Sequence, residues 1–138
     1  MGVNYLKDKR SSCGLRTGSQ YIEAIRNDGR RVFIDGQEVG DVTTHPAFRE
    51  AVRTIAGLYD IAKNPTNRAL MSYVSPGTGN PVNRIWQLPR SEADLKARRA
   101  AIECWSEVTF GLMGRTPDHV AGFLAGWAMA PDVFARNG

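Results

Sequence analysis

Apolar residues recur at three- and four-residue steps in several stretches of the chain, which predicts a mainly helical domain. The shortest of these helices begins after Thr17, where Gln20 completes a capping box, and ends at residues 27–29. A second helix opens at His45-Pro46 and stops at Asn64-Pro65. Its buried face is expected to hold Phe48, Val52, Ile55, Tyr59 and Ala62.

The third and longest helix is predicted to begin at Ser91, with Asp94 in the capping-box position. Its buried side is expected to hold Leu95, Ile102, Trp105, Thr109 and Leu112. Three basic residues lie nearer the other side and are interpreted as a solvent-exposed face, namely Lys96, Arg98 and Arg99.

A fourth helix is predicted from Pro117 to about Met129, and Pro131 starts a further short piece. Gly122 and Gly126 are four residues apart, which favours tight packing of another helix against them.

Two pairs of short extended runs predict β-hairpins. Asp35-Gly36 separates the runs 31–34 and 37–39, and this dipeptide between β-type residues is a strong hairpin signal. The runs 71–74 and 82–86 flank a glycine-rich loop at 75–81. This loop lacks the Gly-Lys-Ser/Thr ending of a phosphate-binding loop, so it is interpreted as a mobile hairpin loop that could act as a lid.

Composition and charge are those of one soluble domain. The chain has 138 residues, is 42% hydrophobic and carries a net charge of +4 from dispersed arginines, which only weakly suggests nucleic-acid binding. Residues 1–16 are polar and predict a flexible arm before a helical domain at 17–138. No secretory signal or bilayer-spanning run is recognised, and Cys13 and Cys104 read as free thiols. We therefore expect a cytoplasmic protein that binds neither membrane nor nucleic acid.

The candidate chemistry is concentrated at residues 109–120. Gly114 is predicted to stop one helix in the left-handed conformation, and Thr116 to cap the next. Arg115 then lies beside the free amide groups of a helix N-terminus, where a phenolate, peroxide oxygen or small anion can be held. His119 falls in the first turn of that helix, and a neutral imidazole there can hydrogen-bond a phenol or carbonyl oxygen. The alternative is an ordinary helix corner whose arginine pairs with a carboxylate.

Other chemistries lack support in the sequence. No serine or cysteine has a histidine base at arguable spacing, and no metal-ligand cluster is visible, so His45 reads as a surface residue.

Four stretches in order resemble a known family: Arg-Thr-Gly-Ser-Gln-Tyr-Ile at 16–22, Val-Phe-Ile-Asp-Gly-Gln-Glu-Val at 32–39, Asp-Val-Thr-Thr-His-Pro-Ala-Phe-Arg at 41–49, and Phe-Gly-Leu-Met-Gly-Arg-Thr-Pro-Asp at 110–118. Together they resemble the N-terminal part of the oxygenase component of 4-hydroxyphenylacetate 3-monooxygenases, and the likeness extends over nearly the whole chain from Arg16.

The resemblance implies the helical N-terminal domain of an acyl-CoA-dehydrogenase-like fold. Members are longer, with a middle β domain and a C-terminal helical bundle that forms a homotetramer. They take reduced FAD from a separate NADH-dependent reductase, use O2 as co-substrate and hydroxylate a phenol ortho to its hydroxyl. The isolated piece is therefore expected to be inactive, and none of its residues is assigned to the flavin or to a metal.

The family's substrate-side arginine matches Arg115, which favours a substrate-binding and catalytic role over a structural one. His119 stands where the family usually has a tyrosine and is the second candidate. Phe110 and Met113 are expected to form a buried substrate-binding wall that excludes water.

Two alternatives stay open. The chain could be a stand-alone binding or interaction module derived from this fold, or a relative of the 4-hydroxybutyryl-CoA dehydratases. The second is disfavoured because iron–sulfur ligation needs several thiolates and only Cys104 lies in the corresponding region. As an isolated piece the chain is also expected to expose apolar surface around Trp127 and Phe134 and to self-associate.

Overall fold

Helices joined by two short hairpins make up the described parts of the chain, residues 14–111 and 117–136 of this computed structural model. The helices are α1 (Gly18–Arg26), α2 (Arg49–Lys63), α3 (Arg68–Met71), α4 (Glu92–Thr109), α5 (Pro117–Met129) and α6 (Pro131–Ala135). The strands are β1 (Val32–Ile34), β2 (Gln37–Val39), β3 (Ser72–Val74) and β4 (Pro81–Asn83), with 3₁₀ turns at Pro65–Asn67 and Arg84–Trp86. The predicted mainly α architecture with short β-hairpins is confirmed.

Helix α1 begins at the predicted cap and packs directly on α2. The Thr17 hydroxyl accepts from the Gln20 N–H at 3.1 Å, and the Gln20 side chain accepts from the Thr17 N–H at 2.9 Å. The Gly18 N–H then donates to the Asp60 carboxylate at 2.7 Å. A Cβ at Gly18 would lie 2.5 Å from the Ala56 carbonyl oxygen, so only glycine allows the two backbones to approach this closely.

Both hairpins are antiparallel two-stranded sheets. In the first, Val32 pairs with Val39 across the predicted Asp35-Gly36 turn, whose φ angles of +49° and +78° match a two-residue hairpin turn. In the second, Ser72 pairs with Asn83. The extended run predicted to reach residue 86 ends at Asn83, because the Asn83 side chain accepts from the Ile85 N–H and bends the chain into a 3₁₀ turn.

Arg84 fastens this turn to the end of α3. Its guanidinium donates to the carbonyl oxygens of Ala69, Leu70 and Ser72 at 3.1, 2.9 and 2.6 Å. Orphan carbonyls at a helix C-terminus thereby gain a donor, which a four-residue helix cannot provide for itself.

The core lies where α2, α3, α4, α5 and the Arg84–Trp86 turn meet. Its buried members are Leu58, Ala62, Met71, Ile85, Ala101, Trp105 and Ala121. Leu15, which lies in the predicted arm, packs partly buried against this cluster, and its carbonyl oxygen accepts from the Lys63 ammonium at 3.1 Å. Residues 1–13 of that arm lie outside the described residues.

The start of α2 differs from the prediction. The helix begins at Arg49, one turn after His45-Pro46, because the Asp41 carbonyl oxygen accepts from Thr44 and His45 and holds this stretch in turns. Val52 and Ala62 are buried as predicted, whereas Phe48, Ile55 and Tyr59 are only partly buried.

The predicted faces of α4 need two corrections. Leu95 is 54% exposed and does not belong to the buried side, which is formed by Ala101, Trp105 and Thr109. Arg98, placed by the pattern on the solvated face, instead turns inward one helical turn before Ala101, and its Nε donates to the Ile85 carbonyl oxygen at 2.9 Å.

The other two cations of that face behave as predicted. Lys96 and Arg99 are exposed and pair with Glu92 and Glu103, each at 2.7 Å and at i,i+4 spacing.

The prediction that another helix packs closely against Gly122 and Gly126 of α5 is also wrong. Ala121 and Ala125 are the residues of α5 that face the core. Gly122 faces the Arg98 guanidinium, and a Cβ at Gly126 would meet no atom within 4 Å. The small residues at four-residue spacing that pack against the core are therefore the two alanines.

Gly18→Ala should lower the free energy of unfolding by about 3 kcal/mol, because the new methyl collides with α2 backbone that cannot move aside. Gly57→Ala in α2 is the matched control, since a Cβ there meets nothing within 4 Å and the better helix propensity should add about 0.5–1 kcal/mol. Urea unfolding of both variants measures the difference, and equal effects would contradict the close approach.

Stability should fall in acid partly through Asp94. Hydrogen bonds from the Arg90 N–H and then from Ser91 hold the pKa of Asp94 below its ordinary value. Because the pKa is lowered in the folded state, this contribution is present above about pH 4 and is lost as the pH falls through the folded pKa. Asp94→Asn should therefore show a smaller loss than the original chain between pH 7 and pH 3 in urea unfolding.

Candidate functional site

The segment that carries the candidate residues starts where α4 ends. The Thr109 hydroxyl donates to the Trp105 carbonyl oxygen at 2.9 Å inside the core. Phe110 and Gly111 follow with φ angles of +55° and +68°, and both of their N–H groups donate to the Ser106 carbonyl oxygen. The helix stop predicted at Gly114 is thus wrong, because α4 already ends at Thr109 in a left-handed cap.

Phe110 is 93% exposed, so in this chain it does not form the buried wall expected of it. A phenylalanine in the left-handed region is uncommon and costs about 1 kcal/mol or more. Its role in substrate binding stays a prediction. Met113 and Arg115, together with the cap residue Thr116, lie outside the described residues.

His119 lies in the first turn of α5, as predicted, and is exposed. Its ring meets the Phe123 ring edge-on, with 4.7 Å between the centroids. Rings continue along the same side, with Phe123 6.4 Å from Trp127 and Trp127 6.0 Å from Phe134 on α6. We call His119, Phe123, Trp127 and Phe134 the aromatic row.

The aromatic row is an unusually apolar surface. Phe123, Trp127 and Phe134 are 51–55% exposed. Neighbouring apolar residues of α5 and α6 are 44–54% exposed, namely Val120, Leu124, Met129 and Val133. The predicted exposure of apolar surface around Trp127 and Phe134 is confirmed.

The opposite side of α5 fixes the helix to the core. Ala121 is fully buried there, and a Cβ at Gly122 would lie 3.8 Å from Nη2 of Arg98. Among the described residues, Arg98 Nη2 and the indole Nε1 of Trp105 are buried without a hydrogen-bond partner. Sequence reasoning missed Arg98, although its i,i+3 and i,i+7 spacing to Ala101 and Trp105 marks the same helix face.

A separate cavity of about 260 Å³ lies between α1, the first hairpin and α2. Its Arg26 donates to Asp41 at 3.2 Å and to Thr43 at 3.1 Å. The hydroxyl and then the N–H of Thr43 lower the pKa of Asp41, which marks a carboxylate engaged in a local turn. The Arg26 and Asp41 side chains of this cavity are therefore engaged with each other and with Thr43.

Within residues 14–111 and 117–136, no three His, Cys, Asp or Glu side chains are grouped closely enough to bind a metal ion. None of the helices in those ranges has both the length and the apolar character that crossing a membrane requires. Burial and then the charge of Glu107 raise the pKa of Cys104, which disfavours the thiolate that metal ligation needs.

Comparison with known proteins assigns residues 17–138 to the family model described as "4-hydroxyphenylacetate 3-hydroxylase N terminal". The chain belongs to this family. It is similar to the pyoverdin chromophore biosynthetic protein PvcC of Pseudomonas aeruginosa, 44% identical over 112 residues that cover 81% of the chain and 22% of PvcC. It is also similar to the oxygenase component of 4-hydroxyphenylacetate 3-monooxygenase of Klebsiella oxytoca, 38% identical over 121 residues that cover 87% of the chain and 23% of that protein.

Two solved structures share the fold of this chain. The crystal structure of the oxygenase component of 4-hydroxyphenylacetate 3-monooxygenase complexed with FAD and 4-hydroxyphenylacetate matches 86% of the chain and 25% of its own length, with a TM-score of 0.78 and 36% identity. An archaeal 4-hydroxybutyryl-CoA dehydratase from N. maritimus matches 67% of the chain and 18% of its own length, with a TM-score of 0.60 and 30% identity. The chain thus spans about a quarter or less of each relative.

We expect the 138-residue chain to self-associate through the aromatic row, because exposed contiguous apolar area favours association. Replacing Trp127 and Phe134 together by glutamine should reduce the associated fraction in sedimentation velocity at high protein concentration. Leu95→Gln on the exposed side of α4 is the control, since it removes a single exposed leucine away from the row. A strictly monomeric original chain would contradict this expectation.

Proposed function

We propose that this chain is the N-terminal domain of a flavin-dependent monooxygenase that hydroxylates a phenol. The observation that carries the proposal is the family match over residues 17–138, supported by similarity to an oxygenase component crystallised with FAD and 4-hydroxyphenylacetate. In the proposed reaction one oxygen atom of O2 enters the ring ortho to the phenol hydroxyl, and a separate NADH-dependent reductase supplies reduced FAD.

The chain fits one side of such a site. The aromatic row, which begins at His119, is a surface on which a flat aromatic ring can pack. Reduced FAD, when bound, supplies the electrons that activate O2.

The residues of this chain would orient the phenol and exclude water. Arg115 donates a charged hydrogen bond to the phenol oxygen, and His119 donates to the same oxygen or accepts from its hydroxyl. The place of His119 in the first turn of α5 and its exposed ring support the role of this residue. Phe110 and Met113 are proposed to close over the substrate once other domains cover them. Phe110 is exposed in this chain, so its side chain is available for such a contact.

A dehydratase-like activity has weaker support. The similarity to the archaeal dehydratase covers less of the chain than the similarity to the monooxygenase component, and the pKa of Cys104 is shifted away from thiolate formation. A stand-alone binding module is the other alternative. It would be supported if the protein neither needed a reductase nor turned over any phenol.

The test uses the full-length protein that contains this chain, assayed with reduced FAD, O2 and a panel of phenols. Arg115→Ala should lower kcat/KM at least tenfold, because a charged hydrogen bond to the substrate oxygen is lost. His119→Ala should also lower it, whereas His119→Tyr should retain turnover because a tyrosine hydroxyl can make the same hydrogen bond.

Arg99→Ala is the matched control, since Arg99 pairs with Glu103 on the exposed side of α4 and should leave turnover unchanged. Product formation by Arg115→Ala at the original rate would refute the role of Arg115. Absence of hydroxylated product from the original protein with every phenol tested would refute the proposed function itself.

A further inference from the structure

Arg98 occupies a position that an arginine rarely takes. It lies on the same face of α4 as the buried residues Ala101 and Trp105. Its Nε donates to the Ile85 carbonyl oxygen at 2.9 Å, and its Nη2 is buried without a hydrogen-bond partner. No carboxylate of residues 14–111 or 119–136, the ranges whose side chains are described, forms an ion pair with it within 4 Å. Burying part of a cation in this way is costly, so the contacts that compensate it indicate what the residue does.

Two elements converge on the Arg98 guanidinium. The first is the Arg84–Trp86 turn, whose Ile85 is fully buried in the core and whose carbonyl oxygen accepts from Nε. The second is α5, where Gly122 lies against Nη2 with 3.8 Å between that atom and the place of a Cβ. A planar guanidinium can hydrogen-bond along one edge and pack against backbone along another, which a lysine ammonium cannot do.

Gly122 and Gly126 differ in what lies beside them. A Cβ at position 122 would already be in van der Waals contact with Nη2, so a larger branched side chain there is expected to press on the guanidinium, whereas a Cβ at position 126 meets nothing within 4 Å. Position 122 lies three residues after His119, so any shift of α5 at Gly122 is passed to His119 along a continuous helix.

We propose that Arg98 is a positioning residue, whose guanidinium between the Ile85 carbonyl oxygen and Gly122 sets the place of α5 and therefore of His119. The effect of Arg98 on catalysis rests on the proposed function, whereas its effect on the position of α5 does not. Arg98 acts through α5 and is not proposed to touch the substrate.

The first experiment measures amide hydrogen exchange in the 138-residue chain. Arg98→Met keeps the length of the side chain but removes the donor and the planar group, and it should accelerate exchange in α5 and in the Arg84–Trp86 turn roughly tenfold. Exchange in α1 and β1–β2 should stay within about twofold of the original chain, because these elements lie outside the contact. Arg99→Met is the matched control and should change none of these rates, since Arg99 is an exposed neighbour paired with Glu103.

The second experiment approaches the contact from α5. Gly122→Val should accelerate exchange in α5 as Arg98→Met does, because its methyl groups displace the guanidinium. Gly126→Val is the matched control on the same helix and should not. The Arg98→Met/Gly122→Val double variant should exchange no faster than the faster single variant, since both remove one contact.

Unchanged α5 exchange in both Arg98→Met and Gly122→Val would overturn the proposal, and so would an equal acceleration in every element. If Arg98→Met fails to fold, Gly122→Val and Arg98→Lys decide the matter by the same exchange pattern. Because these readouts need neither flavin nor substrate, they stand even if the proposed function fails.

The catalytic consequence is measured in the full-length protein with reduced FAD and its phenol. Misplacing His119 should lower the ratio of hydroxylated phenol to hydrogen peroxide several-fold in Arg98→Met, with partial recovery in Arg98→Lys. If Arg98 had a merely structural role, Arg98→Met would lower the amount of active protein and leave that ratio unchanged. An unchanged ratio would therefore refute the proposal that Arg98 positions His119.

Discussion

The burial of Trp105 is the constraint on which the arrangement of this domain depends. Its indole belongs to one buried cluster with Ile85 of the Arg84–Trp86 turn, Ala101 of α4 and Ala121 of α5. A tryptophan buries more apolar area than other side chains, so this contact dominates the packing of the second half of the chain. The side of α5 that bears His119 faces outward because Ala121, on the opposite side, belongs to the buried cluster.

Features that depend on neighbours in sequence were predictable. The capping box at Thr17, the Asp35-Gly36 turn and the bounds of α5 each follow from two or three adjacent residues whose local chemistry admits one outcome. Features that depend on neighbours in space were not. Arg98 reads as a solvated cation until the Ile85 carbonyl oxygen and Gly122 are known to lie beside it, and Leu95 reads as core for the converse reason.

The candidate site divides in the same way. Pro117 correctly placed His119 in a first helical turn, and the apolar side of α5 correctly indicated an exposed surface around Trp127. The left-handed cap at Phe110 could not be predicted, because it depends on Thr109 being buried and bonded to Trp105 rather than on a favourable residue at the cap. Residue chemistry alone favoured a plain helix corner over an anion site at Arg115, and the family likeness is what reverses that preference.

Arg84 shows how the connection between α3 and the second hairpin can be insensitive to ionic strength. One guanidinium serves three main-chain oxygens at the end of α3, so its attraction is to peptide dipoles at short range. Dissolved salt weakens pairs of exposed opposite charges, such as Arg31 with Glu38 on the first hairpin, far more than it weakens such a contact. In concentrated electrolyte the first hairpin would therefore loosen while the passage from α3 into the second hairpin keeps its shape.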